Sequence, residues 1–171
     1  MKKVLITGGT SGIGLATLSK LVLNYEVIFT YCSNETKALK LEEKYNIKGY
    51  RLDLNDKNSI EELVSKLNNI DILINNAGIA LDNDFNLKTY EEFSEVVNTN
   101  LTGTYYLTKL LVKKINSGGE IIFVSSTNGV DTPYIESIDY DASKAGVISL
   151  MQNMANMLAP NLRVNAVAPG W

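Results

Sequence analysis

The chain has 171 residues, 45% of them apolar and 20% charged, which suits one globular domain with a full hydrophobic core. Sixteen Lys and Arg against nineteen Asp and Glu leave a formal charge of −3 with no blocks of like sign, which excludes a nucleic-acid grip or a polybasic membrane patch. With no His and one cysteine, Cys32, there is no internal disulfide, no usual zinc site, no Ser-His-Asp triad and no Cys-His dyad, and no metal site is read.

Val4-Leu5-Ile6 predicts a buried strand, followed by a glycine turn and a helix from about Ile13 to Leu23. Val27 to Tyr31 is a second strand, and Ala38, Leu39 and Leu41 give Glu35 to Tyr45 a helical spacing. A short strand from Gly49 to Leu52 precedes a helix through Ile60, Leu63, Val64 and Leu67. Asp71-Ile72-Leu73-Ile74 is the fourth strand. Thr89-Tyr90-Glu91-Glu92 reads as a capping box, and it opens one long helix running to about Lys114. Glu120 to Val124, a second long helix from Tyr140 to Leu158, and a strand from Leu162 to Val167 follow.

Strands apolar on both faces, alternating with helices, mean a parallel sheet covered on each side. The expectation is one doubly wound α/β domain over residues 1–171. No window holds eighteen apolar residues, and the apolar run after Met1-Lys2-Lys3 stops at Thr7-Gly8-Gly9. Neither a membrane span nor a signal peptide is read, and the protein is expected in the cytoplasm. Ending on Pro169-Gly170-Trp171 directly after a strand, the chain looks cut short, its C-terminal part missing.

Thr7-Gly8-Gly9-Thr10-Ser11-Gly12-Ile13-Gly14 joins the first strand to the first helix. Glycines there permit a tight turn and let a pyrophosphate approach the backbone, while the helix N-terminus offers free N–H groups. Together with Asn75-Asn76-Ala77-Gly78, Tyr140-Asp141-Ala142-Ser143-Lys144 and Pro169-Gly170, in that order, this segment resembles the short-chain dehydrogenase/reductase family along the whole chain, nearest its 3-oxoacyl-acyl-carrier-protein reductase-like branch.

The resemblance implies a Rossmann-type fold and hydride transfer between NAD(P)(H) and a ketone or secondary alcohol, 3-oxoacyl thioesters included. It also implies a homodimer or homotetramer built on the two long helices, burying Tyr105, Leu110, Leu150 and Met154. Gly8, Thr10, Ser11, Gly12, Ile13 and Gly14 would line the pyrophosphate turn, Asp53 and Leu54 the adenine, Asn76, Ala77 and Gly78 the adenosine ribose, with Pro169 and Gly170 closing the site. The competing reading is a non-catalytic dinucleotide-binding or dimerisation protein, an inactive fragment of this family.

An acid at the end of the second strand would pair with a free 2′-hydroxyl and repel a 2′-phosphate. Tyr31-Cys32-Ser33-Asn34 holds none before Glu35, so NADP(H) is favoured over NAD(H), with Ser33, Asn34 and Lys37 available to a phosphate.

Tyr140 and Lys144, four residues apart, share a helix face. A nearby ammonium and an oxidised nicotinamide both favour phenolate, which makes Tyr140 a credible general acid/base. Ser126 matches the family's substrate-holding serine better than Ser125, although its gap to Tyr140 is slightly long, by a loop residue around Pro133 to Ser137. Asn100 matches the family's helix-kinking asparagine, which links the lysine to solvent through a water.

Overall fold

Val4, Leu5 and Ile6 are all fully buried, yet their side chains enter two different cores. Alternation along a strand sends neighbouring side chains to opposite faces of a sheet, so a run with no polar residue needs cover on both. In the computed structural model, which describes residues 1–170, that run is β1 (Lys3–Ile6). Leu5 joins Leu73, Ile121 and Phe123 on one face, while Val4 and Ile6 join Phe29, Ile72 and Ile74 on the other. Burying each such side chain contributes about 1.5–3 kcal/mol.

Around β1 the sheet is parallel throughout. β2 (Glu26–Tyr31) and β3 (Lys48–Arg51) lie to one side; β4 (Ile70–Asn75), β5 (Ile115–Val124) and β6 (Arg163–Val167) lie to the other, in the order β3-β2-β1-β4-β5-β6. Helices α1 (Gly12–Leu21) and α2 (Glu35–Tyr45) supply Leu18, Ala38 and Leu41 to one core. Helices α3 (Lys57–Lys66), α5 (Thr104–Leu111) and α6 (Ile138–Leu158) supply Ile60, Leu63, Leu107, Leu111 and Val147 to the other. No helix among the described residues is long and apolar enough to cross a membrane.

The single helix expected from Thr89 to Lys114 is four pieces, the last a 3-10 turn at Val112–Lys114. Thr89 and Glu92 do form the reciprocal capping box that opens α4 (Tyr90–Val97), but Asn98–Gly103 then forms a π turn before α5. Tertiary contacts hold the turn. Asn100 brackets Ile79, accepting its N–H at Oδ1 and donating from Nδ2 to its carbonyl, both at 2.8 Å. A Cβ on Gly103 would overlap the Leu54 carbonyl, so only glycine lets the turn sit this close.

β5 also begins earlier than Glu120. Ile115 pairs with Ile70 before the register shifts, and Gly118, at φ +79°, takes up the irregularity. Met154 corrects the expected interface. It is 7% exposed and packs in this chain's own core, with Leu110 and Leu150 partly packed against the same cluster; Tyr105 alone of the four is exposed.

Candidate active site

β1 and β4 are adjacent in the sheet, and from this pair the strand order runs outward in opposite directions, through β2 and β3 on one side and through β5 and β6 on the other. Open α/β sheets bind ligands at such a switch point. The loops after β1 and β4 are laced together there. Thr7 Oγ1 accepts the N–H groups of Asn76 and Ala77 at 3.0 and 2.9 Å, and Asn76 Nδ2 donates to the carbonyls of Thr7 and Gly8 at 2.8 and 3.3 Å. Beyond them opens a cleft of about 970 Å3 that runs from the end of β3 to the N-terminal half of α6.

The glycines divide the labour. Gly8, at φ +69°, has Ala77 against the position of a Cβ, and a Cβ on Gly14 would overlap the Gly8 carbonyl oxygen. Those two let α1 press onto the turn. Gly12, at φ +48°, faces open space where a side chain would fill the cleft. Ser11 is the N-cap of α1 yet caps nothing with its side chain, and the helix has no acid in its first turn. The N-terminus therefore presents uncompensated N–H groups to the cleft, which fits a pyrophosphate. Thr10, Ser11 and Ile13 line the same end.

At the far end the lining comprises Tyr31, Cys32, Ser33, Asn34, Asp53 and Leu54. The Asn34 side chain is engaged as the N-cap of α2, accepting the Lys37 N–H at 3.1 Å, and Lys37 itself lies outside the lining. Asp53 accepts the Asn55 N–H at 2.9 Å. Burial and Asp53 push the Cys32 thiol up, with Arg51 pulling the other way. At neutral pH that favours an inert thiol over a thiolate.

At the near end Tyr140 and Lys144 meet Ser125, Ser126, Ala77, Gly78, Pro169 and Gly170 around the same space; Trp171 lies outside the described residues. Lys144 is 4% exposed, its Nζ donates to the Val124 carbonyl at 2.8 Å, and it lies 5.4 Å from the centre of the Tyr140 ring. Burial pushes it down to about 8.

Asn100 stands behind the lining, fully buried, its Nδ2 also 3.1 Å from Ser143 Oγ. Gly78 separates it from Lys144: a Cβ there would lie 3.1 Å from Asn100 Oδ1 and 3.4 Å from Lys144 Nζ. The two serines differ in their attachments. Ser125 Oγ donates to the Lys144 carbonyl at 2.9 Å, tying β5 to α6, whereas among the described residues Ser126 Oγ bonds only to Asn128, at 3.2 Å.

Except for Lys37, the cofactor-binding residues expected from the sequence line one cleft, and of the catalytic candidates only Asn100 stands behind it. Sequence reasoning missed the wall beside Tyr140. Asp82 accepts from Ser137, Asn128 donates to Asp141 at 2.8 Å, and Lys88 pairs with Asp139 at 2.9 Å while also reaching the Leu81 carbonyl. Two of these pairs join residues more than fifty positions apart, and no spacing signal connects them.

The profile of the short chain dehydrogenase family matches residues 2–171. The chain belongs to this family. As a short-chain dehydrogenase it is an NAD(P)-dependent oxidoreductase. It is 38% identical to the 3-oxoacyl-[acyl-carrier-protein] reductase FabG of Aquifex aeolicus, with 99% of this chain and 73% of that protein covered. It is 34% identical to the acetoacetyl-CoA reductase of Rhizobium meliloti, covering 98% and 72% respectively. Among solved structures, a short-chain dehydrogenase from Burkholderia cenocepacia in complex with NADP superimposes at a TM-score of 0.94 with 27% identity, over 99% of this chain and 74% of that one. BdcA in complex with NADPH superimposes at 0.93 with 27% identity, over 99% and 70%.

Proposed function

We propose that this short-chain dehydrogenase reduces the ketone of 3-oxoacyl thioesters with NADPH, in the cytoplasm and as a homodimer or homotetramer. The observation that carries the reading is the convergence of Ser126, Tyr140 and Lys144 on the near end of the cleft whose far end fits a dinucleotide. The bound nicotinamide supplies the hydride. Tyr140 gives its phenolic proton to the carbonyl oxygen of the substrate. Ser126 donates to the same oxygen and holds it as charge develops. Its hydroxyl is free to do so once it leaves Asn128, whereas that of Ser125 is committed to α6. Lys144 places a cation beside the phenol as its oxygen gains negative charge, and Asn100 anchors the end through which that proton is replaced. NADPH is favoured because Tyr31 to Asn34 put no carboxylate where a 2′-phosphate would lie.

The test is NADPH oxidation with acetoacetyl-CoA, alongside nucleotide binding by fluorescence titration, in the parent and in Tyr140→Phe. The variant should lose more than the roughly 10²–10⁴-fold typical of one acid/base group, because the lysine relay fails with it, and should bind NADPH nearly as the parent does. Near-normal turnover in the variant overturns the assignment. A parent that binds nucleotide and turns over no 3-oxoacyl thioester favours the non-catalytic dinucleotide-binding reading.

A further inference from the structure

Arg51 is the last residue of β3, and the parallel register sets it beside Tyr31 at the end of β2. Its Nε–H donates to the Cys32 carbonyl at 3.3 Å, which sets the side chain beside the Cys32-Ser33-Asn34 turn of the cleft, at the border between the cleft and a smaller pocket that Arg51 lines with Tyr50, Ser59, Glu62, Leu63 and Lys66. Among the described residues its terminal Nη groups have no acceptor and the side chain has no ion pair; it is exposed. A guanidinium held by one N–H keeps a planar fork of further donors in a fixed place, the geometry that takes a phosphate with two parallel bonds.

The charges around it agree. Tyr31 to Asn34 contain no acid, and the Asn34 side chain is occupied in capping α2. Asp53, the carboxylate nearest that turn in the lining, has an oxygen engaged by the Asn55 N–H.

We infer that Arg51 reads the 2′-phosphate of NADP(H), its Nη groups binding the phosphate where the adenosine ribose passes Cys32 to Asn34. The inference rests on the dinucleotide reading of the cleft and adds to it a specificity residue contributed by β3. The Nε bond to Cys32 makes this residue pre-positioned, so little order has to be gained when the phosphate arrives.

The experiment titrates the 171-residue chain, Arg51→Ala and Arg51→Lys with NADPH, NADH, 2′,5′-ADP and 5′-AMP, following fluorescence or heat. The parent should prefer NADPH to NADH and 2′,5′-ADP to 5′-AMP. Arg51→Ala should weaken both 2′-phosphorylated ligands about tenfold and leave the other two within about twofold, and Arg51→Lys should recover part of the loss. The NADPH preference of the parent should shrink with added salt, and that of Arg51→Ala much less. An Arg51→Ala chain that keeps the parent's preference overturns the inference and leaves the dinucleotide reading standing. Equal weakening of NADH and NADPH also overturns it, marking Arg51 as a structural tie for the turn. A parent that binds NADH as well as NADPH overturns it too, and a parent that binds none of the four ligands removes the dinucleotide reading itself.

Discussion

Lys144 sits in conflict with its surroundings: an amine, 4% exposed, with a single carbonyl acceptor among the described residues, at 2.8 Å. Desolvation disfavours its charged form and lowers it from the ordinary 10.5 to about 8. Between those values the folded chain binds fewer protons at this site than the unfolded chain, so stability rises with pH across the window. Below pH 8 both states are protonated and the full cost of a buried ammonium is present. Relative to Lys144→Met, the parent should gain on the order of 3 kcal/mol between pH 8 and 10.5, read from denaturant midpoints in matched buffers. A difference that stays flat across that range would place the amine in water. The partnership of Lys144 with Tyr140 was legible in the sequence because a four-residue spacing within one helix fixes geometry locally. Arg51 was not, since its neighbours at Tyr31 and Cys32 follow from the register between β3 and β2, which no short window encodes.

Among elements, the segment between β4 and α4 is fastened to the first turn of α6 by an ion pair with almost no exposure, Lys88 at 5% and Asp139 at 0%. Asp139 also accepts the N–H of Tyr140 at 2.9 Å, so the tether ends on the residue next to Tyr140. Removing one member of a buried pair strands the other charge. Lys88→Met should therefore destabilise the fold by about 3–5 kcal/mol, and adding Asp139→Asn should return most of that loss. Thermal melts of the two variants and the double variant provide the cycle; additive losses would show that the pair is not coupled. Element boundaries were legible where the cause is local, as with Thr89 and Glu92 opening α4. The π turn was not. Asn98 to Gly103 carry no proline, and what forces the irregularity is Ile79 and Leu54, both far away in sequence.

For the whole molecule, the alternation of apolar strands and amphipathic helices predicted a doubly wound parallel sheet, and the same apolar runs explain why two cores are needed. The alternation does not order the strands. That β1 lies between β2 and β4 is decided by crossovers, and it is this order that opens the cleft. Its walls draw on the chain from Gly8 to Gly170, with contributions after β1, β2, β3, β4 and β5 and from α6. A partly unfolded chain would thus retain only a fraction of the contacts available to a nucleotide. Under this linkage NADPH at a hundredfold over its Kd should add about 2.7 kcal/mol and raise the melting temperature by several degrees. The protection should not be confined to the loops that touch it. Whichever stretch of backbone opens first, the ligand is lost, so amide exchange in β1 and β4, and even in the buried turns of α3 and α5, should slow by a common factor. The nucleotide would then act as a rivet through the entire chain, and the energy of one small molecule would be felt by residues on the opposite side of the sheet.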